Sequence, residues 1–249
     1  MAGHSKWAQI KRQKGANDAK RGALFTKLSR EIIVAAKQGG GDPAANFKLR
    51  LAIQRAKAAN MPNDNIERAI AKATGAGNED NLEEITYEGY GPGGTAIIVS
   101  ALTDNRNRTV SEVRHAFARA GGNLGETNSV AWQFEPRGVI TIQVNGKDPD
   151  EIALTAIDAG AVDVQVDQDT IEVHTAPSDL ETVRKALEAA GVEIENTDFS
   201  MIPKMTVELD EKTAISALKL IDALEDLEDV QRVYSNADFS DAVLAAYAG

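Results

Sequence analysis

The spacing of apolar residues changes near residue 79, and this change limits the folds open to the chain. Before that point apolar side chains recur every three or four residues, as at Leu24, Leu28 and Ile32, which is the period of an amphipathic helix. After it, β-branched runs such as residues 95–102 are typical of strands. The sequence therefore predicts a helical N-terminal domain followed by domains that contain sheets.

Three helical patterns precede the change. A glycine-rich break at 39–43 separates the first two, and the spacing of Asp64 and Glu67 predicts a capping box at the start of the third. The predicted apolar faces contain Leu24, Phe25, Leu28, Ile32 and Ala35, then Phe47, Leu51 and Ile53, then Ile66, Ile70 and Ala73.

The remaining chain reads as three groups of elements. A strand at 95–102, a helix that begins at a capping box at 109–112 and a strand at 130–134 come first. A β-α-β-β-α-β series follows, with strands near 138–144, 162–167, 170–175 and 193–200 and helices near 149–159 and 178–190. The tail adds a strand at 205–209, a helix at 211–225 and a strand at 230–234.

The first and third groups each hold half of a split β-α-β sheet, and either half alone is a marginal structure. We therefore predict an α+β fold, with an N-terminal three-helix domain followed by two ferredoxin-like α/β domains, one inserted into the other. The predicted boundaries are 1–78 for the basic helical domain, 79–135 plus 205–249 for the discontinuous domain, and 136–204 for the insertion.

The sign of the net charge changes near residue 79, where the spacing of apolar residues also changes. The chain has a net charge of −11, but residues 1–78 carry 15 Lys and Arg against 5 Asp and Glu, and the rest carries 12 against 33. A basic segment with few carboxylates indicates binding to a polyanion. We predict nucleic acid, either DNA or ribosomal and messenger RNA, and the alternative is an acidic protein surface, including the acidic part of this chain.

The predicted phosphate contacts are cations of this basic segment, several of them spaced seven residues apart on one helical stripe. They are Lys6, Lys11, Arg12, Lys14, Lys20, Arg21, Lys27, Arg30, Lys48 and Arg55.

Two further positions have an open interpretation. Trp7 lies among the basic residues of the N-terminal arm, where it stacks on a base or instead anchors the arm to the helices. Arg106 and Arg108 lie beside a predicted helix start, where they hold a phosphate or form a polar turn with their Asp and Asn neighbours.

The sequence contains little that suggests catalysis. It has no cysteine, and His4, His115 and His174 match no metal-ligand spacing. The glycine-rich segment 87–94 precedes a strand and lacks a Gly-Lys-Ser/Thr, so we interpret it as a surface loop and not a nucleotide-binding loop. We expect no enzymatic activity, no catalytic residues, no metal, no cofactor and no small-molecule substrate.

The chain also lacks the features of an exported or membrane protein. No apolar signal core follows the N-terminal residues, and no run approaches about 20 apolar residues. We expect a cytoplasmic protein with no membrane partner.

Several strings in order resemble the YebC/PmpR family across the whole chain. They include Met-Ala-Gly-His-Ser-Lys-Trp-Ala at 1–8, Tyr-Glu-Gly-Tyr-Gly-Pro-Gly-Gly at 87–94 and Thr-Asp-Asn-Arg-Asn-Arg-Thr at 103–109. The resemblance implies a three-domain α/β architecture. It also implies one of two functions: many bacterial members are described as DNA-binding transcriptional regulators, whereas similar mitochondrial proteins and some bacterial ones act in translation on the ribosome. We predict a DNA-binding transcriptional regulator, with a ribosome-associated or RNA-binding translation factor as the alternative.

Overall fold

The computed structural model of the protein describes residues 18–75, 81–167 and 170–248, with side chains from Arg21 to Tyr247. Three helices come first: α1 (Asp18–Gly39), α2 (Phe47–Ala58) and α3 (Asn63–Thr74). Sheets with packed helices follow, so the fold class is α+β with N-terminal helices, as predicted.

The three helices bury most of the predicted apolar positions in one core. Leu28 and Ile32 of α1 and Ile66 of α3 are buried there, together with Leu49 and Ala56 of α2. Leu24 is an exception, because it is 39% exposed at the N-terminal end of α1.

The start of α3 differs from the prediction. The helix begins one residue before Asp64 and makes no side-chain capping bond, because Pro62 occupies the N-cap position. Proline fixes its own φ angle for a helix start but brings no side-chain acceptor.

The first sheet has the strand order β3-β1-β2-β9. Its strands are β1 (Glu83–Tyr90), β2 (Ala96–Thr103), β3 (Asn123–Leu124) and β9 (Val230–Ser235). Helices α4 (Arg106–Arg119) and α7 (Glu211–Glu225) bury their apolar faces in its core. The C-terminal strand β9 thus pairs with β2 across more than a hundred residues of sequence.

Two predictions for this sheet are wrong. Strand β1 covers part of the segment interpreted as a surface loop, and residues 131–133 form a 3₁₀ turn where a strand was predicted. Strand β1 forms because it pairs with β2 along its whole length. The carboxylate of Glu88 explains the turn, because it is buried and accepts hydrogen bonds from the backbone N–H groups of Asn128 (2.7 Å), Val130 (2.8 Å) and Ala131 (2.7 Å). These bonds fold residues 128–131 against β1 and give the buried acid its partners.

Helix α4 also starts earlier than predicted. Asn105 is its N-cap, and the Asn105 side chain accepts a hydrogen bond from the backbone N–H of Arg108 at 3.1 Å. Thr109, the predicted cap, is buried inside the helix. Asn satisfies a free N–H as well as Thr does, so two good caps four residues apart are not distinguished by sequence.

The second sheet confirms the predicted β-α-β-β-α-β series. Its elements are β4 (Phe134–Gln143), α5 (Pro149–Asp158), β5 (Asp163–Asp167), β6 (Thr170–Thr175), α6 (Leu180–Ala189) and β7 (Ile194–Pro203). The strand order β5-β6-β4-β7 is fully antiparallel and is the order of a ferredoxin-like sheet.

The tail holds three smaller elements. Strand β8 (Val207–Glu208) pairs in parallel with β10 (Ala237–Asp238), and α8 (Asp241–Ala248) follows. The strand predicted at 205–209 is therefore only two residues long. The domain boundaries given above stay a prediction.

Asn46 joins α1 to α2 and generates the first test. Its side-chain oxygen accepts from the N–H of Leu49 at 3.0 Å, and its amide nitrogen donates to the carbonyls of Ala35 and Gly40 at 2.8 Å each. Asn46 is 6% exposed, so water cannot replace these bonds.

We expect Asn46→Ala to lower the free energy of unfolding by about 2–3 kcal/mol, because it removes a helix cap and leaves buried carbonyls without donors. Urea denaturation measures this value. Asn63→Ala, at an exposed position in the first turn of α3, is the control, with an expected change within about 0.5 kcal/mol. Equal effects of the two substitutions would contradict the role given to Asn46.

Candidate nucleic-acid interface

Helix α2 docks the helical domain on the second sheet. Leu51 is 1% exposed and belongs to the core of that sheet, and not to the core that α2 forms with α1 and α3. The ring of Phe47 packs edge-on against Phe199 of β7, with centroids 6.1 Å apart. The helix therefore buries two faces, which explains why its apolar residues do not follow a single stripe.

A chain of ion pairs lies where α1, α2, β7 and β9 meet. The Arg55 guanidinium is 2.7 Å from Glu31 and 3.5 Å from Asp198, and Arg232 of β9 is 2.9 Å from the same Asp198 carboxylate. Burial raises the pKa of Glu31 above its ordinary value despite the neighbouring Arg55. Arg55 itself stays cationic, because Asp198 and Glu31 outweigh the cost of its burial and raise its pKa.

A second ionic centre surrounds Asp229, which precedes β9 and is fully buried. Its carboxylate accepts hydrogen bonds from Arg108 at 2.7 Å, from Arg30 of α1 at 2.8 Å and from the hydroxyls of Thr109 at 2.7 Å and Thr103 at 3.1 Å. Burial favours the neutral acid, but the bonds from Arg108, Thr109 and Thr103 outweigh it and hold the pKa of Asp229 below its ordinary value.

Two more cations of the helical domain contact the acidic part of the chain. The Lys27 ammonium donates to the carbonyl of Glu225 at the end of α7. Arg50 lies 2.9 Å from Glu181 of α6, with its guanidinium 5.5 Å from the ring centroid of Phe47. Together with Arg30 and Arg55, these residues attach the basic helices to both sheets.

These contacts involve part of the predicted phosphate-binding set, which stays a prediction. Arg30, Arg55 and Arg108 are engaged by carboxylates of the chain itself, and Lys27 by one of its carbonyls. Arg30, Arg55 and Lys27 thus contact the acidic part of this chain, which is the alternative partner considered for the basic segment. Arg108 also pairs with Asp104 at 2.8 Å.

The other predicted residues divide into two groups. Arg21 and Lys48 are exposed, and the side chain of Arg106 is 70% exposed with Glu83 3.2 Å away. The remaining predictions, namely Lys6, Trp7, Lys11, Arg12, Lys14 and the side chain of Lys20, lie outside the described residues.

Lys48 and Lys57 of α2 are both exposed to solvent. Lys57 borders an open groove of about 490 Å³ between α2 and α3, whose other lining residues include Arg50, Gln54, Asn63 and Glu67. The groove is open and lined by both polar and apolar side chains, and its lining contains no arrangement of a nucleophile with a base. Among the described residues no cluster of three or more metal-ligating side chains occurs, and no helix is long and apolar enough to cross a bilayer.

The sequence contained no signal for Asp229, Asp198 or Glu31. Asp229 follows Glu225, Asp226 and Glu228 in an acidic run that resembles a solvated surface, and only its position under α4 distinguishes it. Partners nearly 200 residues apart, such as Arg30 and Asp229, are not recognisable from spacing.

These contacts show an α+β protein in which a basic three-helix domain is docked on two antiparallel sheets. Residues 5–76 match the family model described as the TACO1/YebC protein N-terminal domain, and residues 82–237 match the model of the TACO1/YebC second and third domain. The chain belongs to the TACO1/YebC family.

Relatives match over nearly their full length. A probable transcriptional regulatory protein of Dehalococcoides mccartyi is 57% identical, with 99% of this chain and 98% of the relative covered. One from Thermomicrobium roseum is 58% identical, with 99% and 100% covered. The crystal structure of a conserved hypothetical protein from Aquifex aeolicus is similar with a TM-score of 0.84 and 48% identity, covering 95% of this chain and 98% of that one.

Asp229 provides the test of the ionic centre. We expect Asp229→Asn to lower the free energy of unfolding by about 3 kcal/mol, because it leaves Arg108 and Arg30 beside an uncharged group. Because the native pKa of Asp229 lies below its unfolded value of about 3.9, the ionised group stabilises the fold above that pH. This stabilisation is lost as the pH falls through the native pKa.

The measurement is urea denaturation at neutral pH and again between about pH 5 and 3. The wild-type protein should lose more stability over the acidic range than Asp229→Asn does. Asp226→Asn, three residues away and exposed, is the matched control and should behave as the wild type. Parallel acid profiles for the wild type and Asp229→Asn would refute the assignment.

Proposed function

We propose that this protein is a cytoplasmic, non-enzymatic DNA-binding transcriptional regulator that holds the phosphate backbone with its basic N-terminal domain. The observation that carries the proposal is the separation of charge, +10 over residues 1–78 against −21 over the rest. Neutralised phosphates release counterions, so such a segment binds nucleic acid with a favourable, salt-dependent free energy.

Only some of the cations of the helical domain pair with groups of the chain itself. Arg30, Arg50 and Arg55 are engaged by carboxylates. Lys48, Lys57 and Arg21 are exposed on the same domain and are available to a ligand. We assign phosphate contacts to Arg21 and Lys48, to the basic arm (Lys6, Lys11, Arg12, Lys14) and to Lys20, with Trp7 as a stacking residue.

The described helices suggest recognition of backbone and shape. The connection between α1 and α2 spans residues 40–46 and contains Gly40, Gly41 and Pro43, unlike the tight turn of a helix-turn-helix. The exposed positions of α2 are two lysines, an alanine and Gln54, so the helix offers a single exposed amide for reading base edges. The name of the curated relatives, probable transcriptional regulatory protein, supports regulation as the outcome of binding.

The main alternative is a translation factor bound to the ribosome. It would contact phosphate with the same basic surface, so an experiment is needed to distinguish the two functions. Lysate is sedimented through sucrose before and after a high-salt wash, and the protein is detected in each fraction. We expect the protein outside the ribosomal fractions and bound to promoter DNA. If the protein sediments with ribosomes and is released by high salt, its function is in translation and not in transcription.

We expect Lys11→Ala, Arg12→Ala and Lys14→Ala combined to weaken binding to all duplex sequences alike. The slope of log affinity against log salt should flatten by about one unit for each phosphate that is no longer neutralised. The control is Lys204→Ala, Lys212→Ala and Lys219→Ala, which removes the same charge from exposed positions of the acidic part. If both triple variants have the same slope as the wild type, the arm does not contact phosphate.

A further inference from the structure

Helix α4 is basic although it belongs to the acidic part of the chain. Its 14 residues contain four arginines and a single glutamate, Glu112. The whole segment beyond residue 78 has only 12 basic residues against 33 acidic ones. A third of its basic residues are thus placed on one helix.

The exposed face of α4 carries positive charge that no described carboxylate engages. Val113 and Phe117 point into the core of the first sheet and are fully buried. Arg114 and Arg119 are exposed on the outer side, and neither forms an ion pair or a hydrogen bond within the part of the chain that the structure describes. The other exposed residues of α4 are Arg106 and Arg108, which pair with carboxylates near the start of the helix, and the uncharged Asn107, Ser111, His115 and Ala118, while the one acid, Glu112, is half-buried.

The neighbouring helix shows the usual composition of a solvated face. Helix α7 packs beside α4 in the same core and exposes Lys212 and Lys219. The same helix carries Glu211, Asp222 and Glu225, so its charges are mixed. Since surfaces that only need solubility mix both signs, the unmixed face of α4 indicates an anionic partner.

The position of α4 connects this face to the helical domain. Asp229 binds Arg108 in the first turn of α4 and Arg30 of α1 through the same carboxylate. The first turn of α4 therefore lies beside α1, and Arg114 and Arg119 follow further along the same helix. A long, stiff polyanion that lies on the helical domain can continue along α4.

We propose that Arg114 and Arg119 form a second contact to the phosphate backbone of the duplex DNA that the helical domain holds. The inference rests on the proposed function and extends it to the sheet-containing part of the chain. Duplex DNA fits better than single-stranded RNA, because this face of α4, which the structure describes in full, has no exposed Phe, Tyr or Trp on which an unpaired base would stack, and its one exposed ring is the imidazole of His115.

The test compares variants of the full-length protein on duplex DNA over a range of salt concentrations. Arg114→Ala with Arg119→Ala should flatten the slope of log affinity against log salt by about 1.8, because each phosphate that is no longer neutralised lowers the slope by about 0.9. Arg114→Lys with Arg119→Lys should keep most of the wild-type slope, since the charge remains. Lys212→Ala with Lys219→Ala removes equal charge from the neighbouring helix and should leave the slope unchanged.

Each outcome has one meaning. If the wild type fails to bind duplex DNA at low salt, the proposed function fails, and with it this inference. If the wild type binds and the alanine variants of α4 and α7 behave alike, only the inference fails. It also fails if the arginine substitutions weaken binding to single-stranded RNA alone. Both arginines are exposed and without partners among the described residues, so equal urea midpoints of all variants are expected and exclude unfolding as the cause.

Discussion

Ion pairs between the basic helical domain and the acidic sheets hold this molecule together. Arg55 and Arg30 of the helical domain reach Asp198 and Asp229, which belong to two different sheets. Burying such carboxylates costs several kcal/mol each, and only well-placed guanidinium groups offset that cost. The position of the helices on the sheets therefore depends on these pairs together with the insertion of Leu51 into the second core.

The positive residues of the helical domain either pair with carboxylates of the chain or face solvent, and the two groups differ in residue type. The inward cations that pair with carboxylates are arginines, whose planar fork bonds two oxygens at once and is less strongly hydrated. The outward cations of the helical domain are mostly lysines, such as Lys48 and Lys57, which remain in water easily and meet phosphate as point charges. Arginines that point outward and pair with no described residue are therefore the informative exceptions, and Arg114 and Arg119 of α4 are the case that we propose to test.

Prediction from sequence succeeded where local signals were strong. The helix at 211–225 and the β-α-β-β-α-β series have clear periodicity and starts such as Asp148, whose side chain caps α5. It failed for β1, because glutamates and glycines interrupt its pattern and Glu88 is buried to hold a neighbouring loop. A buried acid looks like a surface acid until its hydrogen-bond donors are known.

The sequence by itself determined the helical and sheet-containing parts, the excess of positive charge at the N-terminus and the family resemblance, because period, composition and short strings are local properties. Only the tertiary structure decided which cations remain available to a ligand. Electrostatic energy depends on distance in space, and Asp229 and Asp198, which pair with Arg30 and Arg55, lie more than a hundred residues further along the chain. The count of basic residues therefore predicted a polyanion partner, but it assigned to that partner several residues that the fold uses for itself.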